Sequence, residues 1–592
     1  MTAPCRLIPP LQGAHRLASR CRSNGTGHGP RIPVLAPRPP RARGAIRIAF
    51  AAIIAVAGIN AVAAPDTVLV NGKIVTVDDR FGIAQALAIK DGRVVAVGNS
   101  AEIARLADNR TQRIDLRGRT VIPGLIDNHA HWVRAAEHDE VRLDGVTSRR
   151  HALDMLAARV RAARPGEWIV TLGGWSEEQF RDDARGFSRE ELDRIAPNNP
   201  VVMQAVYRHS YLNTAALTAA RIDAATPDPR GGRIEKDPGG QPSGVISGAG
   251  GVAFVAAKIP LYEKDAWLAN TVKLVTELNS MGITAWLDAG GRGMGPKHYE
   301  PYQYLAERNE LNARVFWTTI RQPATPQEVD SLLPEIAQQK PFQGSDYFNN
   351  IGWGESVYGP VTTQLLRKDS NKKPEDIAQM RRVAQAIAGR GLYLNSHVEM
   401  SDVIELFLDE YEAINQARPL RGLRWSYSHL DQVTDAQLER MKNLGMTAQI
   451  HSRPLIQGAL MHKEHGESAW DMPPFRRVQD SGIRWGLGSD ATAVTTSNPF
   501  YTLGFAVTGR MIGGQKVNRQ TITREEALIA HTRSNAFIMF QEANLGALQP
   551  GKYADLLVLD RDYLTVPADS IKDIKPVMTM VGGKIVFRRS ER

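Results

Sequence analysis

Cysteine is nearly absent from this 592-residue chain. Its two cysteines, Cys5 and Cys21, lie within the first 63 residues, and no cysteine follows them. Residues 64–592 therefore contain no disulfide, no thiolate ligand for a metal and no cysteine nucleophile. Any catalysis in this part of the chain must use other side chains.

Acidic residues and lysine are absent from residues 1–63, which contain nine arginines. These nine account for most of the formal net charge of +10, because the rest of the chain is almost neutral. The basic excess therefore gives little support to a nucleic-acid partner, and a small-molecule ligand is expected instead. Hydrophobic residues at 43% and charged residues at 23% are ordinary for a soluble globular enzyme.

A long hydrophobic run is lacking except in the N-terminal segment. Three arginines between residues 41 and 47 precede the apolar stretch IAFAAIIAVAGINAVAA. The stretch is too short and too rich in alanine for a good spanning helix, and it ends in small residues that suit signal peptidase. We predict that residues 1–64 are an export signal cleaved near Ala63 or Ala64. The protein is then periplasmic or secreted, without stable membrane insertion; an uncleaved N-terminal anchor is the alternative.

Turn signals flanked by short apolar runs occur near both ends of the chain. Asn71-Gly72, Asp91-Gly92 and Gly582-Gly583 each separate two strand-like segments, as in β-hairpins. Two separate sheets would each expose edges that one shared domain covers. We therefore expect residues 65–118 and the C-terminal part of residues 511–592 to form one small β-domain.

Strand-like apolar runs alternate with helical stretches between these ends. WIVTLGG, PVVMQAVY, ITAWLDAG and RVFWTTI are such runs, residues 374–391 begin with proline and end at glycine, and residues 434–437 form a capping box. The alternation favours parallel βα units in an α/β fold, most simply a closed (β/α)8 TIM-like barrel over residues 119–510. Residues from about 143 to 250 fit poorly and are interpreted as an insertion over one mouth of the barrel.

Ionisable residues end several of the predicted strands. TVIPGLID leads to His129 and His131, LYLNS to His397, RWSYS to His429 and IRWGLGS to Asp490. Catalytic groups of a barrel gather at the carboxyl ends of its strands, and residues i and i+2 point to the same side. These side chains can therefore meet around one ion. Imidazole and carboxylate ligands suit zinc, and also iron, manganese or nickel.

Each of these residues has a simpler explanation when it is taken alone. An isolated His-x-His pair often lies on the surface or in the core, and His397 fits a hydrogen-bonded core histidine. Asp490 can cap the following helix, because Gly-Ser-Asp is favourable at a helix start. None of these explanations accounts for four strands that end in the same way, so we interpret the joint pattern as a metal site.

Beyond the N-terminal segment, about residues 66–588 resemble the amidohydrolase superfamily. GLIDNHAHW is similar to its first metal motif, WGLGSDATAV to its strand-eight aspartate motif, and LGALQPGKYADLLVLD to its C-terminal signature. RHSYLNTAALTAARID, followed by TPDPRGGRIEKDPGGQPSGVI, resembles the amidohydrolase-3 branch that contains YtcJ-like proteins and N-substituted formamide deformylase. The combination of motifs is highly specific.

The resemblance implies a barrel flanked by a β-sandwich that both chain ends build. It implies hydrolysis of a non-peptide C–N bond by a metal-bound hydroxide, with one or two divalent ions, zinc first among them. His129 and His131 would bind one metal, His397 and His429 would match the ligands of strands five and six, and Asp490 would be both ligand and general acid/base. A homodimer is a further expectation from the family.

One departure concerns the lysine that many family members carry on strand four, carboxylated to bridge two metals. The corresponding stretch, FNNIGWGESVYGP, contains no lysine, and Asn350 or Gly352 takes its place. Glu355 is the nearest carboxylate and is our candidate ligand. A single ion and a glutamate-bridged pair both remain open, as does a role for Glu355 as a barrel-mouth carboxylate with a basic partner.

Other histidines receive weaker assignments. His209, with Tyr211 beside it, is a candidate substrate-facing donor, although a packing role is equally compatible. His451 is a weaker candidate at the barrel rim. The histidines without a strand-end position are assigned to the surface or to loops: His138, His151, His298, His462, His465 and His531.

Two rivals to an amide-type hydrolase follow from the same site. An esterase, a lactonase or a non-hydrolytic lyase or isomerase would keep the metal and change the reaction. A non-catalytic periplasmic binding scaffold would keep the pocket alone, but the complete set of candidate ligands argues against it.

Overall fold

The structure is a computed structural model that describes residues 64–261, 264–291, 294–361 and 372–590. The segment before residue 64, with both cysteines and most of the predicted export signal, lies outside the described residues. Residues 63–592 form one compact unit. Among the described helices, none is both long and apolar enough to cross a bilayer.

The strands are β1 Thr67–Val70, β2 Lys73–Val75, β3 Ile83–Ala84, β4 Ala86–Lys90, β5 Arg93–Gly98, β6 Gln112–Asp115, β7 Thr120–Pro123, β8 Leu125–Ala130, β9 Ile169–Leu172, β10 Val201–Ala205, β11 His209–Leu212, β12 Arg233–Lys236, β13 Pro242–Ser247, β14 Ile283–Asp288, β15 Arg314–Thr319, β16 Gln343–Gly344, β17 Phe348–Trp353, β18 Tyr393–Val398, β19 Ser426–His429, β20 Thr447–His451, β21 Trp485–Gly488, β22 Leu556–Leu559, β23 Pro576–Val581 and β24 Lys584–Arg588.

The α-helices are α1 Ser100–Ala104, α2 Trp132–Ala135, α3 Arg149–Ala162, α4 Arg189–Ile195, α5 Thr214–Ala220, α6 Ala249–Ala256, α7 Lys264–Met281, α8 Glu300–Glu307, α9 Pro326–Gln338, α10 Pro374–Gly389, α11 Ser401–Ala417, α12 Asp435–Leu444, α13 Pro454–His465, α14 Phe475–Asp480, α15 Pro499–Thr508, α16 Arg524–Ala530 and α17 Arg533–Ile538.

Eight parallel strands form the barrel in the order β8, β14, β15, β17, β18, β19, β20 and β21. The seam between β21 and β8 is joined by residues just beyond the end of β21, which bond to residues within β8. The Asp490 amide donates to the His129 carbonyl at 2.8 Å, and the Ser489 amide donates to the Asp127 carboxylate at 3.1 Å. The predicted barrel is confirmed. Its closure places His129 of β8 next to Asp490, which follows β21.

The helix signals on the outside of the barrel are also confirmed. Helix α10 begins at Pro374, and Gly391 just beyond it has φ +67°. Helix α12 is preceded by Thr434, whose hydroxyl accepts from the Gln437 amide, and it is followed by Gly445 in the left-handed region. Both helices therefore end where glycine tolerates a backbone that other residues avoid.

Strands from both chain ends form the predicted β-sandwich. One sheet has the order β5-β4-β1-β6, and the other has the order β24-β23-β22-β7-β2-β3. Leu69 and Leu87 of the first sheet and Leu556 and Met578 of the second share one buried apolar cluster. Strand β7 lies within the range predicted for the barrel, yet it pairs with β2 and β22 in the sandwich.

Two of the three predicted hairpins are confirmed. Asp91-Gly92 joins the antiparallel strands β4 and β5, and Gly582-Gly583 joins β23 and β24. The prediction for Asn71-Gly72 is wrong, because β1 and β2 lie in different sheets. A Cβ atom at Gly72 would lie 2.3 Å from Leu116 Cδ1. Glycine therefore lets the chain pass close to Leu116 where it crosses from one sheet to the other.

The insertion contains a sheet of its own, in the order β12-β13-β11-β10-β9. The runs WIVTLGG and PVVMQAVY are its strands β9 and β10 and do not belong to the barrel. Its core includes an aromatic group made by Trp175, Phe180, Phe187 and Tyr211. Apolar strand patterns alone do not tell which sheet a strand joins, and the sequence therefore did not separate these runs from the barrel strands.

A buried ion pair between the barrel and the sandwich gives a test of this arrangement. Arg314 of β15 donates to Asp555 through Nε at 2.7 Å and Nη2 at 3.1 Å, with side chains 1% and 5% exposed. Asp555→Ala should lower the free energy of unfolding by about 3–5 kcal/mol, because it leaves a buried guanidinium unpaired. Urea denaturation measures the change. Asp573→Ala, at the half-exposed pair with Lys572, is the control, and an equal effect of the two would contradict the prediction.

Candidate metal centre

The predicted metal ligands all lie at the carboxyl ends of barrel strands. Parallel strands bring these ends to one mouth of the barrel, so residues far apart in the chain become neighbours. They are His129 on β8 and His131 just after it, Glu355 two residues beyond β17, His397 near the end of β18, His429 at the end of β19 and Asp490 two residues beyond β21.

The backbone at these strand ends is fixed by buried hydrogen bonds and by unusual dihedrals. Asp127 accepts from the His129 amide at 3.0 Å, and Ser428 Oγ lies 3.2 Å from His129 Nδ1. His429 and Asp490 have φ of +81° and +63°, in a region that non-glycine residues seldom adopt. Such strain is commonly found at functional sites, and here it accompanies side chains that meet inside the mouth.

The first group consists of His129, His131, Glu355 and Asp490. His129 Nε2 lies 3.3 Å from Glu355 Oε2 and 3.8 Å from Asp490 Oδ1, while His131 Nε2 lies 3.2 Å from Asp490 Oδ1 and 4.0 Å from Glu355 Oε1. Ligand atoms about 2.0–2.1 Å from a tetrahedral zinc ion stand roughly 3.3 Å apart. The spacing of this group is therefore close to that of ligands sharing an ion.

The second group consists of Glu355, His397 and His429. Glu355 Oε2 lies 3.2 Å from His397 Nδ1 and 3.8 Å from His429 Nε2, and the two ring nitrogens are 2.9 Å apart. Glu355 thus belongs to both groups, and its carboxylate lies between them. The lysine-free strand four consequently still places an anionic group at the centre of the site.

Both carboxylates of the site are held in the charged form. Burial by itself raises the pKa of Glu355, but His397 and the other neighbouring imidazoles hold it well below its ordinary value. Burial likewise raises the pKa of Asp490, but Arg453 and His131 hold it well below its usual range. Ionised carboxylates are the state that a divalent cation requires.

The imidazoles of strands five and six differ in charge. Burial and the positive charge of Arg453 lower the pKa of His429 to about 3, which leaves the ring neutral. Burial lowers the pKa of His397, but Glu399 and Glu355 outweigh it and raise the pKa to about 10. Glu399 Oε1 lies 3.2 Å from His397 Nε2, so it can keep a proton on that nitrogen while Nδ1 faces Glu355.

The donor set fits a divalent metal ion. His129 Nε2 is buried and has no hydrogen-bond partner among the described residues, although it faces two carboxylates. An unpaired buried nitrogen is costly unless a ligand satisfies it. Imidazole nitrogens and carboxylate oxygens, without any thiolate, match zinc and also iron, manganese and nickel.

Sequence reasoning underrated the contribution of strand seven. His451 at the end of β20 is buried, and its Nδ1 lies 2.8 Å from Nδ1 of His429. Arg453 donates to Asp490 Oδ2 at 3.0 Å and forms an ion pair with Glu399. The signal in the sequence was the position of His451 at the end of the strand-like run MTAQIH, whereas Arg453 lies beyond β20 at the start of α13.

Other predicted positions lie elsewhere. His209 of the inserted sheet contacts Glu177 and Tyr211, and its role with substrate stays a prediction. His531 lies in the connection between α16 and α17, as a loop assignment allows, but it is fully buried and not on the surface. Burial lowers its pKa, and the charge of Asp127 offsets part of this effect. His138 and His298 are also buried. Burial of these residues is set by helices and loops packed on the barrel, which the local sequence does not show.

Comparison with known proteins agrees with this geometry. The sequence model of the Amidohydrolase family matches residues 112–587. N-substituted formamide deformylase of Arthrobacter pascens is 26% identical to this chain over 566 residues, covering 89% of the chain and 99% of that protein. The putative amidohydrolase YtcJ of Bacillus subtilis is 23% identical over 559 residues, covering 88% and 99%.

The fold is shared with a solved structure. An uncharacterized metal-dependent hydrolase of Pyrococcus horikoshii superimposes with a TM-score of 0.61 at 20% identity, covering 85% of this chain and 99% of that one. The likeness supports the barrel with its flanking sheets. At this identity it carries no information about substrate.

The contact between His451 and His429 leads to a test. We predict that His451→Ala weakens metal binding by about 10- to 100-fold, because the neighbouring ring no longer orients His429. Competition with a chromophoric chelator measures the affinity. His151→Ala is the matched control, since His151 is exposed on α3. Equal affinity of wild type and His451→Ala would show that His451 does not support the ligand.

Proposed function

Because this chain belongs to the amidohydrolase family, we propose that it is a metal-dependent hydrolase of an amide-type, non-peptide C–N bond, with Asp490 as general acid and base. The observation that carries the proposal is the meeting of four histidines, Glu355 and Asp490 at one barrel mouth. A binding scaffold would not need this complete ligand set with two ionised carboxylates.

We propose that Glu355 would be a ligand shared by two ions. His129, His131 and Asp490 would hold one ion, and His397 and His429 would hold the other, as the two groups around the shared carboxylate suggest. Zinc is the first candidate, with iron, manganese and nickel as alternatives. A divalent ion bound there lowers the pKa of a water ligand toward about 7 and polarises a carbonyl group.

Asp490 is placed for proton transfer. Its Oδ2 accepts from Arg453 Nε at 3.0 Å, while Oδ1 faces His131 at 3.2 Å. The guanidinium keeps the carboxylate ionised and fixes its orientation, so Asp490 can take a proton from the attacking water. It then delivers this proton to the leaving nitrogen, which must be protonated to depart as an amine.

The names of relatives suggest which substrates to test first. One relative acts on N-substituted formamides by its name, and we propose that simple N-substituted amides are the first compounds to test. Esters and lactones are the second class, because the same attack on a carbonyl would cleave them.

We also propose that the protein is exported, with residues 1–64 removed or retained as an anchor, and that it forms a homodimer. Charge and apolar pattern of the N-terminal segment support export. Cell fractionation of the full chain, with N-terminal sequencing of the recovered protein, tests this proposal, and recovery of the intact chain in the cytoplasm would refute it.

Asp490→Asn should abolish proton transfer by this side chain, while its amide oxygen could still bind a metal ion. We expect kcat to fall by at least about 100-fold on any amide that the wild type hydrolyses, as for the loss of a general acid–base group. The metal content, measured by mass spectrometry, should remain within about a factor of two. Unchanged kcat would exclude the assigned role of Asp490.

Glu355→Ala should reduce the number of bound ions. Removal of the shared carboxylate leaves His397 Nδ1 and His429 Nε2 without the anionic group that faces them both, so the ion of this group should be lost first. We predict a decrease from about two ions per chain to one or fewer. Glu335→Ala is the control, because its carboxylate lies in a half-exposed pair with Arg321 on the outside of the barrel. Wild-type protein that saturates at one ion would contradict the bridge.

A further inference from the structure

The inserted sheet reaches the metal centre through two of its loops. After β9, a Cβ atom at Gly173 would lie 2.3 Å from the Ala493 carbonyl oxygen. The loop after β9 therefore packs against the segment that follows Asp490. After β10, Tyr207 hydrogen-bonds Arg134, which lies three residues beyond His131. Because β9 and β10 are parallel, both loops leave the sheet on the side that faces the barrel mouth.

These two loops bring Glu177 and His209 together. Glu177 follows the Gly173-Gly174 turn, and His209 follows Tyr207 at the start of β11. His209 Nδ1 lies 3.1 Å from Glu177 Oε1, and the Tyr211 hydroxyl donates to the same oxygen. A further contact, from Ser176 Oγ to the Ile456 carbonyl at 2.9 Å, fixes the loop against the helix that follows strand seven.

The carboxylate of Glu177 is ionised despite its burial. Burial raises its pKa, but hydrogen bonds from His209 and Tyr211 outweigh this effect and hold the pKa at about 2. Arg208 balances the charge from 3.7 Å and also pairs with Glu178 at 2.9 Å. A carboxylate that accepts from Nδ1 of an imidazole fixes the tautomer, and the other nitrogen is then a hydrogen-bond acceptor in the neutral ring.

The second nitrogen of His209 faces away from these partners. The Nδ1 edge faces Glu177 and Tyr211, which are buried against the aromatic core of the inserted sheet. The His209 side chain is 24% exposed, and Nε2 makes no hydrogen bond within the described residues. Its exposed edge is therefore a preoriented acceptor at the start of β11, two residues after Tyr207, which contacts Arg134.

We propose that Glu177, His209 and Tyr211 form a substrate-binding subsite in which His209 Nε2 accepts a hydrogen bond from the N–H group of a secondary amide. The proposal rests on the hydrolase function proposed above and adds a specificity: secondary amides over N-alkylated tertiary ones. An amide N–H is the donor that lies nearest to the scissile carbonyl in every such substrate. A site built to accept it leaves this acceptor unpaired beneath the bound substrate when the N–H is replaced by N–CH3.

The test uses matched pairs of small amides. N-butylformamide and N-butylacetamide are compared with their N-methyl derivatives, in metal-loaded wild-type protein and in His209→Ala and His209→Asn. The Michaelis constant KM is measured, or the inhibition constant for a compound that is not turned over. His151→Ala is the control, and metal content and melting temperature are recorded for each variant.

We expect the wild type to prefer the secondary amides, and we expect both His209 variants to lose about tenfold in that preference, through KM rather than kcat. Tyr211→Phe keeps the bond between His209 and Glu177, so its loss should stay below about threefold. Metal content should not change in the His209, Tyr211 or His151 variants, because none of these three residues contacts a predicted metal ligand.

Two results would overturn the subsite and leave the hydrolase function intact. One is equal preference for secondary and tertiary amides in the wild type. The other is a change in His209→Ala that affects both members of a pair equally, as a purely structural role would. Hydrolysis of esters alone, with no turnover of any secondary amide, would overturn the subsite together with the proposed amide specificity.

Discussion

The structure of the site depends on one carboxylate that lies between two groups of histidines. Glu355 Oε2 is within 3.3 Å of both His129 and His397, which belong to opposite sides of the barrel mouth. Without this negative charge, the histidines of the two groups would have no common anionic partner, and Asp490 and Glu399 would each balance only one side of the site. The position of Glu355 just beyond β17, two residues after the strand ends, lets it occupy the centre that a strand-four side chain usually reaches.

Charge is balanced around this centre by residues outside the ligand set. Arg453 of the strand-seven loop links Asp490 with Glu399, and Glu399 in turn contacts His397. The network joins strands five, seven and eight, so a ligand on one strand is oriented by groups on two others. Buried ion pairs of this kind contribute little to stability, but they fix geometry where an uncompensated charge would be costly.

The insertion over the barrel mouth has a different relation to the sequence. The sequence indicated an insertion but assigned its strand-like runs to the barrel alternation, whereas the structure shows a separate five-stranded sheet with its own aromatic core. Gly173 and Gly174 allow its loop to approach the segment after Asp490 more closely than a side chain permits. The insertion thus packs its loops after β9 and β10 against segments that follow the ligands Asp490 and His131.

The sequence by itself determined the barrel, the two-ended sandwich and the histidines and aspartate at the strand ends, because strand periodicity and the parallel arrangement put such residues on one edge. It also identified Glu355, as the nearest carboxylate to a missing lysine. Only the tertiary structure decided that Glu355 lies between both histidine groups, that His451 and Arg453 contact the ligands, and that β1 and β2 separate into two sheets. These features depend on distances across the barrel and between sheets, which are set by packing of segments hundreds of residues apart and leave no local pattern.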